Sequence, residues 1–563
     1  MRRSLFLALT VFMVAAACGS SDDAATPTQP SSGAVATQDG GTVTVGIEAT
    51  SFPADLSSLR PTSNVGTTRT AAIALARGYR ITPELTFEPW LFDGDCRERR
   101  PDGTAPFTVS CTIKRDARWS DNVPVTADDF EFTWSMITNP DNAVITREGF
   151  NKIRAFTIGG DRKQFDMAFT EPYPAWRQIW SGANGAALPK HILQNADFKE
   201  FWKSCICVPG QQPEQPVGSG PFLVKGFTPT VSLEMVRNDA YWGPRPKLDK
   251  IVFRSIGDID GQVNELRTGG VDVIYPTTIT AAQKVAIEGS ATFESALGSS
   301  WEHLDFKTDV TGLNDVVVRK AIATALPRQQ IVDQLVKPIN SSAAVLNSVF
   351  YMTNQQGYEP NWRVYPERGD LVLAGRMLDD AGYRLQADGV RAKGDVRLSF
   401  DLAVNGTNDA RVQSAEIIKS ELKKAGIDVK IDTSGTGLSR NVTPTATAYN
   451  FQTVLFAWTG GPDPAGQTFW RGDRLPPAGQ NFTLVQNQAL TDTIRRADAE
   501  LDPAARRSLY NQADRTLAQD VVSSIPLFQR TVQIGYKRAL VGPKPNATID
   551  SFTWNVGDWA IKA

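Results

Sequence analysis

Arg118–Trp134, RWSDNVPVTADDFEFTW, is the stretch whose reading decides the architecture. Thr126 stands at an N-cap position, and Asp129, three residues on, can return a hydrogen bond to its backbone. Phe130, Trp134 and Ile137 then recur at helical spacing and predict a helix with one buried face. Around this helix the chain reads as strands. FEPWLFDG (87–94) opens a hairpin-rich region, and KQFDMAFT (163–170) alternates as a strand does. Cys96 and Cys111 flank RERRPDGTAPFTVS, with Pro101, Asp102 and Gly103 at its turn, which predicts a hairpin crossed by a disulfide. The Pro/Gln/Gly loop VPGQQPEQPVGSGP (208–221) closes the region.

Outward from there the pattern changes twice. GTVTVGIE (41–48) predicts the first strand of the body. FLVKGF, VSLEMVRN and KIVFRSI, from Phe222 onward, read as strand, turn, strand. A helix carrying Val263 and Leu266 precedes GGVDVIY. Beyond Thr308 helices and strands alternate. DVVVRKAIATAL and DLVLAGRMLDDAGY are amphipathic helices, the second stopped by Gly382. Ala415, Ile418 and Leu422 share a face of a helix that ends at Gly426, directly before a strand. This alternation predicts an α/β lobe, and SSIPLFQR and QIGYKRALVG return to strands at the end. There is no internal repeat.

The body, 41–563, is too long for one compact core, so two or three domains are expected. A net charge of −2 with interspersed acids and bases argues against a nucleic-acid binder, which should show a basic patch. Arg2, Arg3, the apolar run Leu5–Ala17 and the small residues Ala15, Ala16 and Ala17 predict a secretory signal over 1–17. The run is shorter than the roughly 20 apolar residues a membrane helix needs. Gly19–Gly40 is Ser, Thr, Ala, Pro, Gln and Asp with almost nothing bulky to bury, so it is expected to stay disordered. As a flexible coil it would reach about 25 Å. With Cys18 set aside, four cysteines remain, an even number suited to an exported protein. Cys205 and Cys207 are separated by Ile206 alone, and a strained disulfide and a pair of free thiols both stay open. Two thiols without nearby His do not complete a metal set.

The start of the chain resembles a bacterial lipoprotein signal, with Cys18 as the lipidated first residue of the mature protein, although Ala15 stands where such signals usually carry Leu. Two acyl chains on Cys18 would suffice for stable anchoring. The body, from about Gly41 to Pro526, resembles the extracytoplasmic solute-binding proteins of ABC importers, family 5, the class of the dipeptide-, oligopeptide- and nickel-binding proteins. RWSDNVPVTADDFEFTW is similar to the signature segment of that family. PVGSGPFLVKGFTPTVSLEMVRNDAYWG, TGGVDVIY, VVVRKAIATAL, MLDDAGYR and FAWTGGPDP match further segments in the same order. The resemblance implies an α/β, two-lobed periplasmic-binding-protein-like fold of type II, with a subdomain inserted in the first lobe. Lobe I would comprise 41–86, 217–307 and 525–563, the insertion 87–216, and lobe II 308–524. A ligand buried between the lobes would shift an open–closed equilibrium toward the closed form.

Three departures bear on the site. Pro327 stands where the family usually has Asp, so a helix there should start Pro-first. Lys307 replaces a usual Asn. Peptide-binding members carry an Asp three residues after the Trp of this last segment, where it pairs with the ligand ammonium; three residues after Trp458 this chain has Gly461. Asp463, before Pro464, matches a later Asp of the pattern and is the remaining carboxylate that could take that role. Trp458 is the expected aromatic wall of the ligand pocket, with Trp301 and Tyr275 near the junction of the lobes; each has core packing as its alternative. His191 and His303, the two histidines, sit in no nucleophile elbow and no zinc motif, and both are expected to be structural or on the surface. A metal-chelate ligand held by one of them stays open. The expected protein is a monomeric binder of a peptide or other small polar solute, without catalytic residues, cofactor or metal. Its partners would be ABC permease subunits and, through its lipid, the membrane. The rival readings are a secreted cell-wall hydrolase and a sensor or adaptor that uses the same fold without transport.

Overall fold

A computed structural model describes residues 35–60, 65–182, 185–203, 205–208, 214–406, 408–434, 451–465, 469–476 and 479–563. The signal segment, Cys18 and residues 19–34 lie outside the described residues. Ten strands make the main sheet: β1 (Thr42–Glu48), β2 (Phe222–Thr228), β3 (Ser232–Arg237), β4 (Lys250–Ile256), β5 (Val273–Ile274), β6 (Thr292–Phe306), β7 (Ser399–Ala403), β8 (Asp428–Asp432), β9 (Thr453–Thr459) and β10 (Ser524–Tyr536). Their order across the sheet is β8-β7-β9-β6-β10-β5-β1-β4-β3-β2. β1 runs parallel to β4 and β5, and β7 runs parallel to β8 and β9. Each parallel group belongs to one lobe.

The two groups are joined by β6 and β10, which pair antiparallel along most of their lengths. The early half of β6 pairs with β10 beside the β5 edge, and its late half pairs with β9. The ladder slips between Leu297 and Trp301 and again at Glu302/His303. Such bulges re-aim side chains where a sheet bends. Gly298 sits in the first slip, where a Cβ would lie 2.7 Å from the carbonyl oxygen of Arg530. No larger residue fits that approach without a shift of backbone.

Residues 87–216 hold a separate four-stranded sheet and α2 (Ala127–Thr138). Asp129 Oδ2 accepts from the Thr126 amide at 2.9 Å, the predicted cap, and from Trp119 Nε1 at 3.4 Å. Its Oδ1 accepts from the Lys190 amide at 2.9 Å. Burial raises the Asp129 carboxyl, and these donors oppose that. Cys96 and Cys111 are joined across the hairpin of Arg97–Arg99 and Thr108–Thr112, Cα atoms 4.5 Å apart. Cys205 and Cys207 are also joined, Cα atoms 5.5 Å apart. The apolar core does not stop at the boundaries of this region. One cluster runs from Phe92, Phe130 and Trp180 into Val45 and Phe253 of the main sheet. A second, around Phe306, Ile322, Trp362 and Leu455, fills the other lobe.

Two expectations need correction. The tether is not structureless to Gly40. Thr37 and Gln38 pair with Lys562 and Ile561, so the ordered body begins ahead of Gly41. Pro327 is not in the first turn of its helix; it precedes the four-residue helix Arg328–Ile331 as the capping residue.

Buried charges tie distant segments. Arg77 and Asp550 pair at 2.5 Å, both nearly without exposure, and Asp550 also accepts from the Ile81 amide. In the second lobe Asp514 accepts from Asn361 Nδ2 and Trp362 Nε1 at 2.9 Å and from the Val349 amide at 3.3 Å. Removing one member of a buried pair strands the other charge, so Asp550→Ala should cost about 3–5 kcal/mol in urea unfolding. Arg77→Met in the same chain should recover much of that loss; an additive double variant would refute the pairing argument.

Burial pushes the Asp514 carboxyl up to about 6, above the ~3.9 of an unfolded Asp. Between those values the folded form holds the extra proton. Stability therefore falls as pH rises from about 4 to about 6 and is level above that. Denaturation series across this range should show a shallower slope for Asp514→Asn than for the parent, and equal slopes would count against this assignment.

Candidate functional site

β-strand side chains alternate between faces, and at the strand crossing this sorts the site. Ser300 and Thr459 are cross-strand partners whose hydroxyls lie 2.8 Å apart on one face. That face opens on a cavity of about 540 Å³. From β10 come Arg530, Thr531 and Val532, and from the turn after β5 come Tyr275, Pro276 and Thr277. Arg69 of α1 (Val65–Ala74) and the segment Ala547–Ser551 complete the wall. An adjoining pocket shares Thr277, Arg530 and Thr531 and reaches Arg411 of α3 (Asp409–Lys424) and Glu302. Both lobes therefore contribute to one cleft.

Its electrostatics are dominated by arginines. Arg69 is 5% exposed. Its guanidinium carbon lies 4.7 Å over the Tyr275 ring and 5.9 Å from Phe552. Tyr275 is in turn stacked on Phe552 at 4.5 Å and donates to the Asn546 carbonyl at 3.2 Å. Burial pushes the Arg69 guanidinium below its ordinary value, with Tyr275 and Glu48 opposing. Burial likewise raises the Tyr275 hydroxyl, and Arg69 opposes that. Nε and Nη1 of Arg69 have no hydrogen-bond partner among the described residues. Glu302 is held differently: it accepts from Arg411 at 3.0–3.3 Å and lies 3.5 Å from Arg530 Nε. Glu48 accepts from the Thr277 amide and hydroxyl at 3.0 and 2.9 Å.

The residues singled out from sequence fall in three places. Tyr275 lines the cavity. Trp301 and Trp458 are cross-strand partners one position away from Ser300 and Thr459, so alternation turns them to the opposite face. There Trp458 stacks on Phe469 at 3.8 Å and faces His303 at 6.0 Å, while fully buried Trp301 packs on His303 at 4.6 Å. His303 Nδ1 lies 2.8 Å from Asp305 Oδ1, and His191 Nε2 lies 2.9 Å from Asp121. Gly461 and Asp463 lie in the loop after β9. Asp463 borders a groove of about 420 Å³, together with Arg177, Tyr351 and Gln355. Its Oδ2 is paired with Arg506 at 2.8 Å and its Oδ1 accepts from the Ala465 amide. Gln355 donates to the Gly461 carbonyl and Gln178 to the Asp463 carbonyl, the latter from across the cleft. Arg69, Glu302, Arg411 and Arg530 were not legible as site residues. A signal existed for Arg69, the one charged residue between Arg60 and Arg77.

Among the described residues, Cys205, Cys207 and Glu214 form a group close enough to share a metal ion. The two sulfurs are bonded to each other, which leaves no thiolate to ligate. No described helix is long and apolar enough to cross a membrane.

The model of bacterial extracellular solute-binding proteins, family 5, matches residues 86–474. The oligopeptide-binding protein OppA of Mycobacterium tuberculosis is 28% identical over 448 residues, 78% of this chain and 71% of the relative. Two solved structures share the fold. The periplasmic EDTA-binding protein EppA superposes with a TM-score of 0.82 at 22% identity, over 96% of this chain and all of the other. The oligopeptide-binding protein AppA from Bacillus subtilis, in complex with a nonapeptide, gives 0.72 at 21% identity, over 94% and 100%.

The Asp463–Arg506 pair predicts a measurable coupling. A double-mutant cycle with Asp463→Ala and Arg506→Ala should return about 1–3 kcal/mol for this largely buried charged hydrogen bond. A coupling near zero would mean that the carboxylate is free for another partner.

Proposed function

The chain belongs to the bacterial extracellular solute-binding proteins of family 5, the binding components of ABC importers, and on that premise we propose that it captures a small solute in the cavity at the strand crossing and delivers it to a membrane permease. The observation that carries this reading is that the cavity draws its walls from both lobes: Thr459 from one, Arg69 and Tyr275 from the other, with Ser300 and Arg530 on the two strands that join them. A solute held there contacts both halves only when they close on it. Its binding energy therefore favours the closed form, which the permease can distinguish. In this reading 41–86, 217–307 and 525–563 act as one body with the insertion 87–216, and 308–524 acts as the other. β6 and β10 are the hinge strands.

The protein binds without turnover. No nucleophile motif is present in the sequence, and both histidines are engaged, His191 with Asp121 and His303 with Asp305. Tyr275 serves as an aromatic wall, while Trp301 and Trp458 stiffen the sheet behind it. Asp463 braces its loop against Arg506. A peptide with a free N-terminus would lack the carboxylate that its ammonium needs at Gly461. Lipidation of Cys18 would hold the body outside the cytoplasm as a monomer at the membrane surface.

Solute scanning by thermal shift, followed by small-angle scattering, tests the capture reading. A ligand that raises Tm should also reduce the radius of gyration, and chemical analysis should recover it unchanged. Conversion of the ligand to a product would replace the receptor with an enzyme. Cys18→Ala should move the protein from the detergent phase to the aqueous phase in a phase-separation assay; unchanged partitioning would remove the lipid anchor from the account.

A further inference from the structure

A folded protein seldom leaves a buried cation without acceptors, because each stranded donor carries a desolvation cost. The other deeply buried arginines of this chain each have acceptors, although Nε and Nη2 of Arg77 and Nε of Arg328 are also unmatched among the described residues. Arg77 is paired with Asp550. Arg328 donates to the carbonyls of Leu346, Pro526, Trp362 and Tyr365, and Arg319 donates to those of Leu313, Val521 and Val522. Arg69 differs. It is 5% exposed, it lines the cleft cavity of about 540 Å³, and its Nε and Nη1 are unmatched among the described residues. Its neighbours are aromatic faces, which favour a cation but accept no conventional hydrogen bond.

The second cation of that cavity is Arg530, about one-third exposed and only loosely held by Glu302. Among the described residues that line the cavity there is no carboxylate. The acids of the cleft lie in adjoining pockets and are engaged: Glu302 by Arg411, Glu48 by Thr277, Asp258 by the Gly261 amide and Asp260 by Gln283. The same wall carries apolar groups, Pro276, Val532 and Ile549, and the hydroxyls of Ser300, Thr459 and Thr531.

We infer that the solute of this receptor is an organic anion whose carboxylate or phosphate head group supplies the missing acceptors of Arg69, with Arg530 as the second contact. The inference rests on the receptor reading above and inverts the polarity of recognition from a ligand ammonium to a ligand acid. Anionic oxygens match guanidinium donors closely. An aromatic-backed, partly apolar wall suits the body of an organic acid better than a bare inorganic ion.

Titration calorimetry on the full-length protein in detergent tests this with succinate, citrate, glycerol 3-phosphate, trialanine and glucose. At least one of the three anions should bind, and which one binds identifies the head group. Arg69→Met should weaken that binding about 100-fold or more, and Arg69→Lys should retain part of it. Because the ligand-free site holds an unmatched cation, Arg69→Met should leave the ligand-free Tm unchanged or raised. Where the Met variant misfolds, the Lys variant and the anion series still decide. No binding by any of the three anions overturns the inference. Binding of trialanine or glucose in their place overturns it as well, while leaving the receptor reading intact. Anion binding unaffected in both Arg69 variants overturns the role of Arg69. If ligand binding of every charge type is absent and a substrate is turned over instead, the receptor reading falls with it.

Discussion

The antiparallel ladder between Thr292–Phe306 and Ser524–Tyr536 is the constraint on which the rest of the molecule depends. Both strands pass through the junction, so each lobe's sheet is continuous with the other through the same two segments. Register is then set for both lobes at once, because a slip of one residue would exchange the two faces of the strand. The bulges at Leu297/Trp301 and Glu302/His303 lie where the ladder passes from one lobe to the other. They let the strands bend while Gly298 presses against the Arg530 carbonyl. The cavity lies directly against this stretch, so its geometry is tied to whatever angle the lobes adopt.

From that ladder follows a division between a polar face and an aromatic face. Ser300, Glu302 and Thr459 look into the cleft, and Trp301, His303, Phe456 and Trp458 look away from it. The aromatic side is a continuous stack through Phe469 and Phe482, packed too closely to rearrange cheaply. A stiff back and a polar front suit a site that must hold its shape. The insertion contributes differently. Its core is fused with that of the first lobe, and Gln178 extends from it to the loop of Asp463.

Much of the local structure was legible in the sequence because it depends on neighbours along the chain. The Thr126–Asp129 cap, the strand Thr42–Glu48, the helix carrying Val263 and Leu266 and the stop at Gly382 all occur where periodicity and capping place them. The order of the motif segments was enough to imply the two-lobed fold and the family. Where the reading stopped early, the cause was pairing at a distance. Thr37 and Gln38 look like linker until the C-terminal strand at Ile561 and Lys562 lies beside them. Trp458 was legible as an important aromatic, but the face it occupies depends on its partner strand.

The sequence by itself determined the class of the molecule: its lobed α/β plan, its export signature, its want of a catalytic motif and the departure at Gly461. These are properties of residue order and type, and short-range rules read them. The tertiary structure alone decided the chemistry of the cleft. Arg69, Tyr275, Ser300, Thr459 and Arg530 come from five separate segments, and nothing in their local spacing brings them together. Whether a buried arginine meets a carboxylate, as Arg77 meets Asp550 from 473 residues away, or only aromatic faces with donors unmatched among the described residues, as Arg69 does, depends on which segments the fold sets side by side. A single sequence carries no local trace of that, because burial and partner are properties of the packed whole.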